Sequence, residues 1–256
     1  MHQLLSYINF ILKSTNQHGI HSPFVYNLVT KCFYDRSKHE AYAEIASYRR
    51  ELFKNTDVIH ITDFGSGSKV FKTNDRPINA IAKTSGTSLK NTKLLYRLVN
   101  YFKPDHVLEL GTNLGIGTHA MALAHPSANI TTIEGCPELL KVATQNFSDK
   151  KLTNIKSIQG DFNTTLIKLP QSTWDFIFFD GHHSKESTLA YFEMLLPTAH
   201  NDSIFVFDDI YWSNGMTEAW EIIKNHPQVT VTVDTFNWGI VFFRREQLKQ
   251  HFKIRV

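Results

Sequence analysis

Three carboxylates close apolar runs late in the chain. Asp180 ends WDFIFFD (174–180), and Asp208 with Asp209 ends SIFVFDD (203–209). If these runs are neighbouring parallel strands, their tips share the carboxyl edge, where open α/β sheets bind ligands. Three acids meeting there repel one another unless a cation or protons intervene. An all-oxygen donor set suits a hard divalent cation such as Mg²⁺, which keeps positions open for a substrate oxygen. Asp180, Asp208 and Asp209 are therefore the expected metal ligands. His183 follows Asp180 by three residues. Imidazole titrates near neutral pH, so His183 is the expected general base for a hydroxyl brought to that cation. The plainer role for His183 is to cap the helix beginning near Ser184 or to hydrogen-bond an acid. His182, next to it on an extended loop, points another way.

A second constellation lies upstream. In HVLELGTNLGIGTHAMALA (106–124), Gly111, Gly115 and Gly117 follow an apolar strand and open into a helix of small residues. Glycines there let the backbone approach a ligand closely. One strand later TTIEG carries Glu134, at the strand tip where a ribose diol sits in nucleotide-binding sheets. A rival glycine stretch, VIHITDFGSGSKVF (58–71), runs into Asn74-Asp75-Arg76-Pro77 instead of a helix. Residues 63–68 are expected to form a structural loop, and the GSGS stretch at 65–68 not to hold a cofactor, because a glycine pattern without a following helix is weak evidence for a nucleotide site.

The elements that position these groups follow from the pattern. HVLEL (106–110), NITTIE (129–134), NIKSIQ (154–159), WDFIFFD and SIFVFDD read as buried strands. They alternate with helices expected near 115–125, 137–148, 162–169, 184–196 and 214–225. Such alternation implies a parallel sheet covered on both faces. VTVTVDTF and WGIVFFRR, separated at Asn237, predict an antiparallel hairpin. The expected fold is α/β: a Rossmann-like, mostly parallel seven-stranded sheet with a C-terminal antiparallel hairpin (101–256), behind an N-terminal, mainly helical cap (1–100) that shapes the substrate site. Within that cap, Ser22-Pro23 reads as a helix start.

Bulk properties exclude several classes. A net charge of +3 over 256 residues, with basic residues dispersed, argues against a nucleic-acid partner. The two cysteines, Cys32 and Cys136, form no metal or disulfide pattern and fit reduced thiols. No window resembles a signal peptide or a membrane span, so a cytoplasmic protein without membrane partners is expected. A homodimer is left open. Tyr211, Trp212 and Trp238 are candidates for the wall of an acceptor pocket, with core packing as the alternative. His18 and His21 read as local packing or capping groups.

Glu109-Leu110-Gly111-Thr112-Asn113-Leu114-Gly115 resembles the first motif of class I S-adenosylmethionine-dependent methyltransferases, and the resemblance extends over about residues 94–245. It implies S-adenosylmethionine as cofactor. The implied contacts are Glu109, Gly111, Thr112, Asn113 and Gly115 in the loop, Glu134 at the ribose, Gly160 and Asp161 at the adenine, and Asp180. Asp161 also reads as a cap for the helix starting at Phe162. Asp180-Gly181-His182-His183 with Asp208-Asp209 resembles the metal-dependent O-methyltransferases, both the catechol O-methyltransferase-like group and the sugar O-methyltransferases. The chain departs from the catechol group in having His183 in place of a lysine and Asp209 in place of an asparagine. The resemblance implies O-methylation of a small hydroxylated acceptor with Mg²⁺ or another divalent cation. Metal-independent methylation of RNA or protein, or a non-catalytic cofactor-binding module, are the alternatives.

Overall fold

The computed structural model describes residues 1–62, 73–169 and 173–256; the GSGS stretch at 65–68 lies outside them. The helices are α1 (His2–Lys13), α2 (Pro23–Leu28), α3 (Ala41–Lys54), α4 (Ile78–Thr84), α5 (Leu89–Phe102), α6 (Ile116–Ala124), α7 (Pro137–Asp149), α8 (Phe162–Lys168), α9 (Lys185–Leu195) and α10 (Asn214–Asn225). The strands are β1 (Val58–His60), β2 (Asp75–Pro77), β3 (His106–Leu110), β4 (Asn129–Glu134), β5 (Ile155–Gln159), β6 (Phe176–Phe179), β7 (Ile204–Asp208), β8 (Val231–Asp234), β9 (Trp238–Phe242) and β10 (Gln250–Lys253). The main sheet has eight strands in the order β10-β8-β9-β7-β6-β3-β4-β5. This is the expected α/β arrangement with one more strand than the seven expected. The addition is β10, which lies parallel to β8.

The chain divides into two compact units, Asp35–Thr165 and Met1–Tyr34 with Leu166–Val256. The first hundred residues therefore contribute to both.

In the unit Asp35–Thr165, β3, β4 and β5 pair in parallel, with Leu110 opposite Ile133 and Glu134 opposite Gln159. Ser88 caps α5 by accepting from the Asn91 N–H, satisfying one of the donors that a helix start leaves open. One apolar cluster joins Tyr48 and Leu52 of α3, Ile78 and Ile81 of α4, and Leu139 of α7 to Leu114 and Ile116. The last two flank Gly115, so the glycine loop is anchored by burial on both sides. β1 and β2 form a separate antiparallel pair.

In the other unit, β6 and β7 are parallel, while β9 runs antiparallel to both β7 and β8. The β8–β9 pair is the expected hairpin. Its left-handed residue is Phe236 (φ 74), one position before the expected Asn237. Phe176, Phe178, Phe205, Phe207, Trp220 and Trp238 are fully buried. Each such side chain contributes roughly 2–3 kcal/mol of burial, which makes β6 and β7 a stiff platform for the acids at their tips. Ser22 caps α2 through the Val25 N–H with Pro23 in the first turn, as expected. α2 then passes into a π-helical turn, Val29–Phe33.

Candidate active site

The glycine loop leaves β3 at Gly111, whose φ of 105 is open to glycine and strained for other residues. The Gly111 N–H donates to the Ile133 carbonyl at 2.9 Å, tying the loop to β4. Asn113 is left-handed (φ 50); its N–H donates to Glu134 Oε2 at 2.8 Å and its amide to the Ser85 carbonyl at 3.0 Å. Gly115 is the left-handed N-cap of α6 (φ 76), and a Cβ there would lie 2.5 Å from the Phe147 ring. Glycine at 115 is thus required by both backbone and space.

Glu134 ends β4 with each carboxylate oxygen held by one backbone donor: Asn113 N–H on Oε2, and Cys136 N–H on Oε1 at 2.9 Å. Burial pushes its pKa up, and these N–H groups oppose the shift. A carboxylate has about four acceptor sites. With the Gly135 N–H also acting on the carboxylate, three are engaged, so the group is oriented and keeps an acceptor site open.

Glu109 behaves differently. It is 1% exposed, and its Oε2 accepts from the hydroxyls of Thr118 and Thr132. Thr132 in turn meets the Thr112 hydroxyl at 2.5 Å. Burial pushes Glu109 up to about 7. Glu109 and Thr112 therefore brace the loop from within and present no open surface to a ligand. Asp161 caps α8, accepting from the Thr164 N–H and hydroxyl, which lowers its pKa. Gly160 donates to the Glu134 carbonyl at 3.0 Å, so the β5 tip is fastened to the β4 tip.

Two residues that bear on this loop were not singled out from the sequence. The Tyr48 hydroxyl donates to the Leu114 carbonyl at 2.6 Å. His119 on α6, wholly buried, stacks on the Tyr48 ring with centroids 4.5 Å apart. Its Nε2 is 3.4 Å from the Glu44 carboxylate, and burial lowers its pKa to about 4 against the pull of Glu44. The available signal was a histidine one turn into an otherwise small, apolar helix.

The second constellation sits in the other unit. Asp180, His183 and Asp208 each offer a ligand atom, all within 4.8 Å of one another; among the described residues, this is the group that could hold a metal ion. His183 Nε2 is 3.9 Å from Asp180 Oδ1. Asp208 is oriented by the Trp238 indole N–H, which donates to its Oδ1 at 2.7 Å. Asp209, expected as the third ligand, is not in the group. Its backbone is left-handed (φ 53) where β7 ends. Burial, then the charge on Asp208, push Asp209 up to about 7. Burial lowers the His183 pKa against the pull of Asp208. His182 is left-handed as well (φ 62), and its ring meets the Tyr191 hydroxyl at 3.4 Å. Ser184 supplies the cap of α9. Trp238 is core, and Tyr211 is nearly so, donating to the buried Asp234 at 2.5 Å.

The donor set fits a divalent cation. It comprises two acids that would repel if left alone, one imidazole, and an indole that fixes the second acid from behind.

Residues 108–210 match a family described as a methyltransferase domain. A protein-L-isoaspartate O-methyltransferase of Thermosipho melanesiensis is 45% identical over 58 residues, which is 22% of this chain and 29% of that protein. The match thus spans under a third of that relative. The SAH-bound methyltransferase PaMTH1 of Podospora anserina superposes with a TM-score of 0.61 at 15% identity, covering 88% of this chain and 97% of that one. An O-methyltransferase of Bacillus cereus in complex with SAH gives 0.57 at 18% identity, covering 83% and 94%. At these identities the structural likeness is one of fold. Among the described residues, no helix is long and apolar enough to cross a membrane.

Proposed function

We propose that this chain is a methyltransferase that moves the methyl group of S-adenosylmethionine to the oxygen of a small hydroxylated acceptor, with a divalent cation assisting; the domain match at 108–210 and the fold support the reading. The observation that carries the reading is the convergence of Asp180, His183 and Asp208. Asp180 and Asp208 hold the cation. When bound, it supplies Lewis acidity that lowers the pKa of an acceptor hydroxyl.

The chain's own groups do the rest. Glu134, aligned by the backbone N–H groups of Asn113, Gly135 and Cys136, would accept from the ribose. Gly111 and Gly115 let the loop backbone come close to the cofactor. Asp161 and Gly160 mark the adenine end. His183 takes the acceptor proton as the oxygen–methyl bond forms and the methyl–sulfur bond breaks, leaving a neutral thioether. Positioning of the two partners provides much of the rate.

One observation favours a variant in which His183 is a third ligand instead of the base: its Nε2 lies within the ligand-competent group. A histidine donor would also move metal preference from Mg²⁺ toward Mn²⁺ or Zn²⁺.

The test is methyl transfer from labelled S-adenosylmethionine to a panel of phenols, sugars, tRNA and unfolded protein, with Mg²⁺, with Mn²⁺, and after exhaustive EDTA treatment. Metal-dependent labelling of a small hydroxyl compound supports the reading. Labelling of RNA or protein that survives EDTA overturns it.

A further inference from the structure

Five large apolar side chains on α1 face solvent: Leu4, Leu5, Ile8, Ile11 and Leu12, between 38% and 79% exposed. Their spacing is that of one helical stripe, about 120° wide and centred on Ile8. The opposite face is already in use. Phe10 is buried, and Phe10 and Tyr7 pack on Phe236 with centroids 5.6 and 4.9 Å away. His2 meets the Thr217 hydroxyl at 3.0 Å. α1 is thus docked through Phe10, with Tyr7 and His2 at its edges, while its aliphatic side is bare.

We infer that this stripe pairs with the same stripe of a second copy of the chain, two α1 helices crossing antiparallel about a two-fold axis near Ile8. Three observations support a copy as the occupant. The stripe has no charge, so it can meet itself without repulsion, as an isologous interface requires. The sole lysine or arginine of α1 is Lys13 at its C-terminal end, so antiparallel pairing places the two lysines at opposite ends. With Met1, the bare surface is roughly 500–700 Å² per protomer, above what a monomer ordinarily leaves open and close to the ~800 Å² per partner of a stable pair. A membrane surface is the rival occupant. Helices that lie on membranes carry lysine and arginine along their polar face, and α1 has no such row.

The pairing reaches the functional region through one contact chain. Phe236, on which α1 rests, stacks on Tyr211 at 5.2 Å, and Tyr211 follows Asp208 by three residues. The inference is independent of the proposed reaction, and its failure leaves that reading intact.

The test is sedimentation velocity on the full chain from about 0.5 to 50 μM, run beside Leu5→Glu/Leu12→Glu and Ile8→Gln, with flotation on phosphatidylcholine/phosphatidylglycerol vesicles. The expected result is a wild-type dimer that does not float, and a dissociation constant raised about tenfold or more in each variant. Ile8→Gln adds no charge and covers a folding defect in the double variant, which circular dichroism would reveal. A wild-type monomer at 50 μM, a dimer of unchanged affinity in folded variants, or a monomer that floats with the vesicles would each overturn the inference.

Discussion

Replacing Glu109 by glutamine should stabilise the protein at alkaline pH, although Glu109 belongs to the motif that reads as cofactor-binding. Both threonine hydroxyls donate to one oxygen of this buried carboxylate. A glutamine carbonyl in the same place accepts both, so the network survives. What changes is the charge. Burial raises the folded-state pKa from 4.5 to about 7. Below pH 4.5 the residue is protonated whether folded or unfolded, and the fold carries no penalty. Between 4.5 and 7 the unfolded chain releases its proton first, so wild-type stability falls as pH rises through this window. Above 7 the full cost remains. At about 1.4 kcal/mol per decade the gap is worth about 3 kcal/mol. Glu109→Gln should therefore match wild type near pH 4.5 and exceed it by about 3 kcal/mol at pH 8, roughly 6–12 °C in melting temperature for a unit of this size. Thermal unfolding of both proteins at the two pH values measures the difference of differences, in which titrating groups that do not interact with Glu109 cancel. A stability gap that does not move with pH would show that Glu109 ionises normally, and the account of its burial would be wrong.

Other expectations concern the sites more directly. Glu134→Ala should weaken S-adenosylmethionine binding by about 1.5–3 kcal/mol, roughly ten- to a hundredfold by calorimetry, because charged hydrogen bonds are lost; affinity within twofold of wild type would displace the ribose from this carboxylate. Gly115→Ala should cost about 2–5 kcal/mol in chemical denaturation, summing a left-handed alanine and a collision with Phe147. Pairing it with Phe147→Leu should recover the steric part only. His183→Ala should lower kcat by about 10²–10⁴ while His182→Ala changes it little. If His183 is the base, Mn²⁺ affinity measured by electron paramagnetic resonance stays constant in His183→Ala; if it is a ligand, that affinity falls.

Much of the scaffold was legible because its strands are uninterrupted apolar runs. HVLEL and NITTIE match β3 and β4 residue for residue. β10, with the sequence QHFK, carries no such signal; it is an edge strand specified by pairing with β8. The site was legible in residue types but less so in directions. Asp209 and His182 both occupy left-handed backbone without being glycine. Three acids at strand ends point to one shared edge, but residue type does not reveal the left-handed turn at Asp209, which lies outside the trio. The three-residue offset of His183 from Asp180 did place those two together. Glu109 illustrates a second limit. A strand-tip acid in a ligand motif looks the same in sequence whether it faces outward or, as here, inward onto two threonines.

One feature of the chain has a consequence during synthesis. The unit Asp35–Thr165 is continuous, whereas its companion is assembled from Met1–Tyr34 and Leu166–Val256. On a ribosome adding roughly 5–20 residues per second, the continuous unit emerges whole and can collapse first. α1 emerges before it but must wait for Thr217 and Phe236, its docking partners, more than two hundred residues later. For that interval the helix is bare on both faces, aliphatic on one and aromatic on the other. A trigger-type chaperone that shields nascent apolar helices would find its best target in the first thirteen residues, and a translational pause after residue 165 would lengthen the exposure.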